Sequence, residues 1–312
     1  MSFGSEFLVR PDLFPARLSG EGWGRESLTI DFVGGPYRFE DLGELQAAAV
    51  RERFAVLISR AEDAPTMITR VLRSPPEDFR EIDTRGWSYT IDLRYETEIV
   101  RFAGWRLMAG LRVGAGGTET AEGALWTAVD RSPDFEGVFE NYFRVATAYR
   151  LLTTGGTLLH SAAVVRNGGA YLFLGRSGQG KSTVARLSLD EGCAVLSDDC
   201  NAVLVESGTP RVERLPFAGD LGQTVELGGG LPLRAIVSLR QSDRTRLAPQ
   251  PRAQAFARLL ACTPYVNSDP ERQAQLLPIL EGLLARAPAY ELEFTLDGGF
   301  WPLLDAVEPA RC

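Results

Sequence analysis

The chain is poor in the residues that most often announce a site. It has one histidine, His160, and four cysteines, Cys193, Cys200, Cys262 and Cys312, in 312 residues. No two cysteines form a C-x-x-C pair, so no sequence-local zinc motif is present, and a chain of this length without a signal peptide is not expected to carry a disulfide framework. Residues 1–20 lack a basic start followed by an apolar core, which argues against secretion. No apolar run approaches the roughly 20 residues that span a bilayer. Basic charge is also short: 33 Lys and Arg stand against 41 Asp and Glu, a net charge of -8, which disfavours a nucleic-acid partner. Internal repeats and low-complexity tracts are absent. These lacks point to the cytoplasm, with neither membrane nor nucleic acid as partner.

What is present is an ordinary globular composition, 45% hydrophobic and 24% charged, long enough for one large domain or two ordinary ones. We divide the chain at residue 130. Residues 1–130 read as a β-rich accessory or acceptor-binding domain. Short β-like pieces such as 27–33 come first. A helix over 40–60 carries Leu42, Leu45, Ala48, Ala49 and Phe54 on one face, and a polar loop follows over 61–86. Alternation over 87–95 then opens an antiparallel sheet continuing through 98–102, 105–111 and 124–129. Phe139, Tyr142, Phe143, Ala146, Tyr149 and Leu152 recur at helical spacing over 135–152 and read as a core stripe.

Residues 131–312 read as the catalytic domain. An apolar run over 158–165, the turn at Asn167-Gly168 and a second run over 170–174 have the pattern of a hairpin. Directly after it, Gly175 to Thr183 reads GRSGQGKST, a full G-x-x-x-x-G-K-[ST] match. A strand ending in a glycine-rich turn that opens a helix aims backbone N–H groups at one point, and that point binds phosphate. Gly175, Ser177, Gly178, Gln179, Gly180, Lys181, Ser182 and Thr183 are therefore the nucleotide-binding candidates. Lys181 reaches the outer phosphates and the Ser182 hydroxyl ligates Mg²⁺.

Asp198 and Asp199 follow Lys181 by only 17 and 18 residues, after one short helix and one short strand. That spacing predicts a strand beside the one feeding the loop, with both carboxylates facing the phosphates. A carboxylate there can hold Mg²⁺ or take the proton of an attacking hydroxyl. His160 sits in the first strand of the hairpin, and pairing about a turn at 167–168 puts it beside residues 175–176. Further on, strands are expected at 202–205, 233–239 and 290–296, with helices near 252–262 and 270–286.

The order His160-Ser161, the GRSGQGKST loop, then Leu196-Ser197-Asp198-Asp199 resembles the catalytic domain of HPr serine kinase/phosphorylase, and more closely the HPr-kinase-related proteins found beside peptide-maturation enzymes. The resemblance covers about residues 150–305, best over 150–240. It implies an α/β (α+β) domain of the HPr kinase / phosphoenolpyruvate carboxykinase type. It implies a kinase that uses ATP, or another nucleoside triphosphate, with Mg²⁺ to phosphorylate a serine-type hydroxyl of a peptide or protein. Asp198 becomes the catalytic base, Asp199 its support or a metal ligand, His160 a neighbour of the transferred phosphate, and Lys181 the phosphate clamp. A homo-oligomer is consistent with the relatives. The match departs at Thr183, where the family carries Glu, and at 225–230, which lacks the arginine of the family's downstream signature; the second departure puts a phosphorylase reaction and HPr as acceptor in doubt. Kinase action on a small-molecule hydroxyl, and a nucleotide-binding regulatory module without transfer, stay open beside it.

Overall fold

The computed structural model describes residues 20–59, 64–80, 89–112, 120–205, 208–217, 219, 221, 230–296 and 299–306. The fold is mixed α/β with two sheets, and the chain divides into two compact units, Met1–Thr153 and Thr154–Cys312. The expected boundary at 130 falls just before a long helix that belongs to the first unit.

The first unit is built on a seven-stranded sheet of β1 (Glu26–Ile30), β2 (Tyr37–Leu42), β3 (Met67–Arg73), β4 (Asp92–Tyr95), β5 (Ile99–Gly104), β6 (Leu107–Arg112) and β7 (Ala121–Thr127), in the order β1-β2-β3-β7-β6-β5-β4. The strands that the alternation predicts, β4 to β7, pair antiparallel as expected, but β2–β3 and β3–β7 pair in parallel, so the sheet as a whole is mixed. The strand responsible, β3, lies inside the stretch read as a polar loop. Its exposed Arg70 and Arg73 and the flanking prolines hide the buried Met67, Val71 and Leu72. Helix α1 (Glu44–Arg53) follows β2, and α2 (Asp134–Thr153) follows β7. The aromatic stripe of α2 packs on the sheet, with ring centroids of Phe139 and Phe39 4.6 Å apart and of Phe143 and Tyr37 5.0 Å apart. Each such pair contributes about 0.5–1.5 kcal/mol beyond its area burial. The expected segments at 1–19, 81–88 and 113–119 lie outside the described residues.

The second unit holds β8 (Gly156–Arg166), β9 (Gly169–Leu174), α3 (Lys181–Asp190), β10 (Ala194–Ser197), β11 (Cys200–Leu204), β12 (Arg211–Arg214), β13 (Leu231–Gln241), β14 (Arg246–Pro249), α4 (Arg252–Ala261), α5 (Gln273–Arg286), β15 (Ala289–Phe294) and α6 (Trp301–Asp305). The hairpin β8–β9 turns at Asn167 and Gly168, both with positive φ, 51° and 71°. That is the backbone an Asn-Gly hairpin turn requires. The pairings β8–β11–β12–β13–β9–β8 close on themselves, and β10, β15 and β14 extend the sheet from this ring. On the parallel pairs β9–β13 and β13–β15, Phe173, Ala235, Val237, Leu239 and Leu292 pack with Val184 and Trp301 as a core cluster, while Leu172, Leu174 and Ile236 are also buried. Runs buried on both faces are expected of parallel strands.

One relation differs from the sequence-based expectation. The strand ending at Asp198 is not beside the strand that feeds the glycine loop. β10 and β11 both lie antiparallel to β8, β10 opposite Ala163–Val165 and β11 opposite Gly156–His160. β9 takes the other edge of β8, opposite Ser161–Arg166. So β8 runs between them, and Asp198-Asp199 fills the break where β10 gives way to β11.

Candidate functional site

The middle of β8 organises the site. Ser161 pairs with Leu174, the last residue before the glycine loop. On its other edge the Ser161 N–H donates to the Asp199 carbonyl at 3.0 Å. One strand thus brings the loop and the aspartate pair to its two sides without any local sequence motif. Buried Asn201 braces the arrangement by donating from Nδ2 to the Ser161 carbonyl (2.8 Å) and to Ser161 Oγ (3.1 Å). The Ser197 hydroxyl accepts the N–H groups of Asp199 (3.2 Å) and Cys200 (3.4 Å), which shapes the break.

The GRSGQGKST segment forms the strand–loop–helix that its pattern implies: β9 ends at Leu174 and α3 begins at Lys181. Gly175 is buried, Arg176, Ser177 and Gly178 are exposed, and Gln179 and Gly180 are half-buried. Gly180 caps α3 with φ of +99°, and a Cβ there would lie 2.6 Å from Phe294 Cζ. Backbone sign and the aromatic floor both demand glycine. Gln179 ties the loop to itself: its Oε1 accepts the Arg176 N–H at 2.6 Å. The first N–H groups of α3 lack intrahelical acceptors, and the helix dipole favours an anion before them. Ser182 and Thr183 lie half-buried on that first turn.

Lys181 is 7% exposed, and its ammonium donates to the carbonyls of Gly175 (3.0 Å) and Arg176 (3.4 Å). Burial pushes the Lys181 ammonium below its ordinary value; the fields of Cys262, Asp199, Cys200 and Asp198 oppose that shift. The cation therefore sits within reach of both aspartates' influence. Asp198 is 4% exposed. Its Oδ1 accepts the Leu221 N–H at 3.4 Å, and a Cβ on Gly219 would collide with that same oxygen. Asp199 is half-buried and turns the other way, its Oδ1 3.2 Å from His160 Nδ1. The two carboxylates thus have different surroundings.

The register expected for His160 is the one observed: it lies one residue before Ser161, whose partner is Leu174, so it stands at the mouth of the loop. Its own N–H donates to the Cys262 carbonyl at 2.7 Å. His160, Asp199 and Lys181 are thus gathered around the loop, and Asp198 lies beside them against Gly219 and Leu221.

Several participants escape sequence reasoning. Arg258, in the last turn of α4, reaches Gln179 Oε1 at 3.2 Å. Gln241 at the end of β13 donates to the Gly178 carbonyl at 3.3 Å. Cys200 lies directly opposite His160 across the β8–β11 pairing. Each joins the site through a strand or helix contact formed far along the chain, and their only local signal was membership of an otherwise ordinary element. The weak signature echo at 225–229 lies outside the described residues.

The oxygen donors expected for Mg²⁺, the Ser182 hydroxyl and the Asp199 carboxylate, are of the hard type that this ion takes. Among the described residues, no helix is long and apolar enough to cross a membrane.

The second unit is therefore a mixed α/β domain in which a glycine loop and an aspartate pair flank one strand. A family model described as SynChlorMet cassette protein ScmC matches residues 140–308. The chain belongs to this family of SynChlorMet cassette proteins. No curated protein matches the chain.

Proposed function

We propose that the chain is an ATP- and Mg²⁺-dependent kinase that phosphorylates a serine-type hydroxyl of a peptide or protein, with the catalytic machinery in a domain of the HPr kinase type. The observation that carries this reading is the position of β8, with the glycine loop on one edge and Asp198-Asp199 on the other. A binding loop alone fits any nucleotide-binding protein; a buried carboxylate held beside it fits transfer to an acceptor.

In this reading the loop N–H groups and Lys181 hold the phosphates and offset their charge. Phosphoryl transfer depends on such positioning and charge neutralisation more than on covalent chemistry. Mg²⁺ held by Ser182 and Asp199 would supply further charge neutralisation. Asp198 accepts the proton of the acceptor hydroxyl as its oxygen bonds to the γ-phosphorus, and the bond to the β-phosphate oxygen breaks to release the nucleoside diphosphate. His160, whose Nδ1 lies 3.2 Å from Asp199 Oδ1, holds that carboxylate in orientation. Membership of a cassette family supports a biosynthetic precursor peptide as acceptor rather than HPr, and the first unit is the candidate platform for it.

The test is transfer of labelled phosphate from ATP to peptides encoded with the cassette, against a panel of small alcohols. Asp198→Asn should retain nucleotide binding and lose about 10²–10⁴-fold in transfer, the range of general-base catalysis. An Asp198→Asn variant as active as the parent removes Asp198 as the base. Phosphorylation of small alcohols alone makes it a small-molecule kinase. Nucleotide binding with no product from any acceptor makes it a regulatory module, a reading that Thr183, in place of the Glu of the HPr kinases it resembles, favours.

A further inference from the structure

His160, Asp199 and Cys200 form a group that phosphoryl transfer does not use as a whole. One potential ligand atom from each lies within 4.8 Å of the others. We infer that these three residues bind a borderline-soft divalent cation of the Zn²⁺ class, at a three-ligand site with an open fourth position.

The donor set is the first reason. An imidazole, a carboxylate and a thiolate are the three side-chain types that Zn²⁺ takes, and three protein ligands with one open position is the pattern of zinc sites that bind or activate a further ligand. A sulfur donor distinguishes the site from one for Mg²⁺, which takes oxygen. Geometry is the second reason. The His160 Nδ1 to Asp199 Oδ1 separation is 3.2 Å. Two ligand atoms on a tetrahedral Zn²⁺ with bonds of about 2.0–2.1 Å stand roughly 3.3 Å apart, so this pair needs little adjustment.

Rigidity is the third. Cys200 and His160 are directly opposed across paired antiparallel strands, where side chains on one face are neighbours. The His160 N–H is fixed by the Cys262 carbonyl, and the N–H groups of Asp199 and Cys200 are fixed by Ser197. Access is the fourth. The side chains of His160 and Asp199 are 39% and 28% exposed, while Cys200 is buried at 7%. The sulfur forms the floor of the site and the nitrogen and oxygen its rim, so an ion enters from solvent and keeps a coordination position toward it.

The inference does not rest on phosphoryl transfer. The two readings share Asp199, so bound Zn²⁺ would occupy a carboxylate that Mg²⁺ is proposed to use, and Zn²⁺ would act as an inhibitor of any Mg²⁺-dependent activity.

The experiment is titration of the metal-stripped full chain with Co²⁺ alone, no nucleotide present. One equivalent should bind and produce a thiolate-to-metal charge-transfer band in the near ultraviolet, which Zn²⁺ then abolishes by displacement. Cys200→Ser should lose the band, and His160→Ala should weaken Co²⁺ binding at least tenfold, while Cys193→Ser retains both. A band that survives Cys200→Ser, or no binding by the parent chain, overturns the assignment. If Cys200→Ser fails to fold, X-ray absorption on the Zn²⁺-loaded parent decides: one sulfur at about 2.3 Å with nitrogen and oxygen at about 2.0–2.1 Å is expected, and a shell without sulfur overturns it. Because no nucleotide enters the assay, its outcome is independent of whether the chain proves to be a kinase.

Discussion

The two units place their polar groups differently. In the first unit several polar side chains inside the packing are paired with one another or with the backbone. Thr69 and Tyr142 share a buried hydrogen bond of 2.8 Å, Gln46 donates to the Val129 carbonyl at 2.7 Å, and Arg144 meets Glu140 at 2.8 Å one helical turn away. Burial pushes the Tyr142 phenol well above its ordinary range, so it stays neutral. In the second unit Asp198, Asp199, His160 and Cys200 gather at one break in one strand line, and the buried Lys181 ammonium lies in the field of Asp198, Asp199 and Cys200. Paired polar groups add about 0.5–1.5 kcal/mol each to stability, whereas a buried charge costs unless it is compensated.

The sharpest way to break that contrast is Phe139→Ala in the first unit. Phe139 is fully buried, with Phe39, Phe54 and Phe143 centroids at 4.6, 5.6 and 5.8 Å. The loss should be about 3–5 kcal/mol by chemical denaturation. Nucleotide affinity, measured under conditions where the variant is still folded, should be unchanged. A fall in affinity would mean that the first sheet does more than supply stability.

Gly180→Ala should have a smaller effect on stability and a larger one on binding. A left-handed backbone costs a non-glycine residue roughly 1–2 kcal/mol, and the new methyl group must also displace Phe294. Because Gly180 shapes both the loop and the start of α3, nucleotide affinity should drop by tenfold or more in a titration. Lost stability with intact affinity would show that the loop's curvature is structural only.

How far these features were legible depends on the range of the interaction. The hairpin β8–β9, the glycine loop, the register that brings His160 to its mouth and the aromatic face of α2 are all set by residues near one another in sequence. Asn167-Gly168 fixes a turn, and a turn fixes register. The neighbours of β10 were not legible. Spacing alone makes the next strand adjacent to β9, but β9 already fills both edges, with β8 and β13. β3 was hidden because arginines and prolines surround its buried residues. The grouping of Cys200 with His160 was not legible because His160 comes from the opposing strand, a pairing that no C-x-x-C pattern marks.

The smallest effect on stability, and the one that tests the contrast most directly, is expected from Lys181→Met. The substitution removes a buried charge and two hydrogen bonds to the carbonyls of Gly175 and Arg176. These losses and gains oppose each other, so stability near neutral pH should change by no more than about 1 kcal/mol. The pH dependence gives the sign. The folded value of Lys181 lies below its unfolded value, so the penalty for its charge is fully present below the folded value. As pH rises from there toward the unfolded value near 10.4, the unfolded chain holds more protons and the parent gains stability. The Met variant lacks this gain. The difference in unfolding free energy, parent minus Lys181→Met, should therefore increase with pH through that window, while nucleotide binding is lost at every pH. A difference that is flat with pH would mean that the ammonium is solvated in the folded chain. The second unit would then carry no buried charge at its loop, and the contrast between the two sheets would fail at the residue on which it depends most.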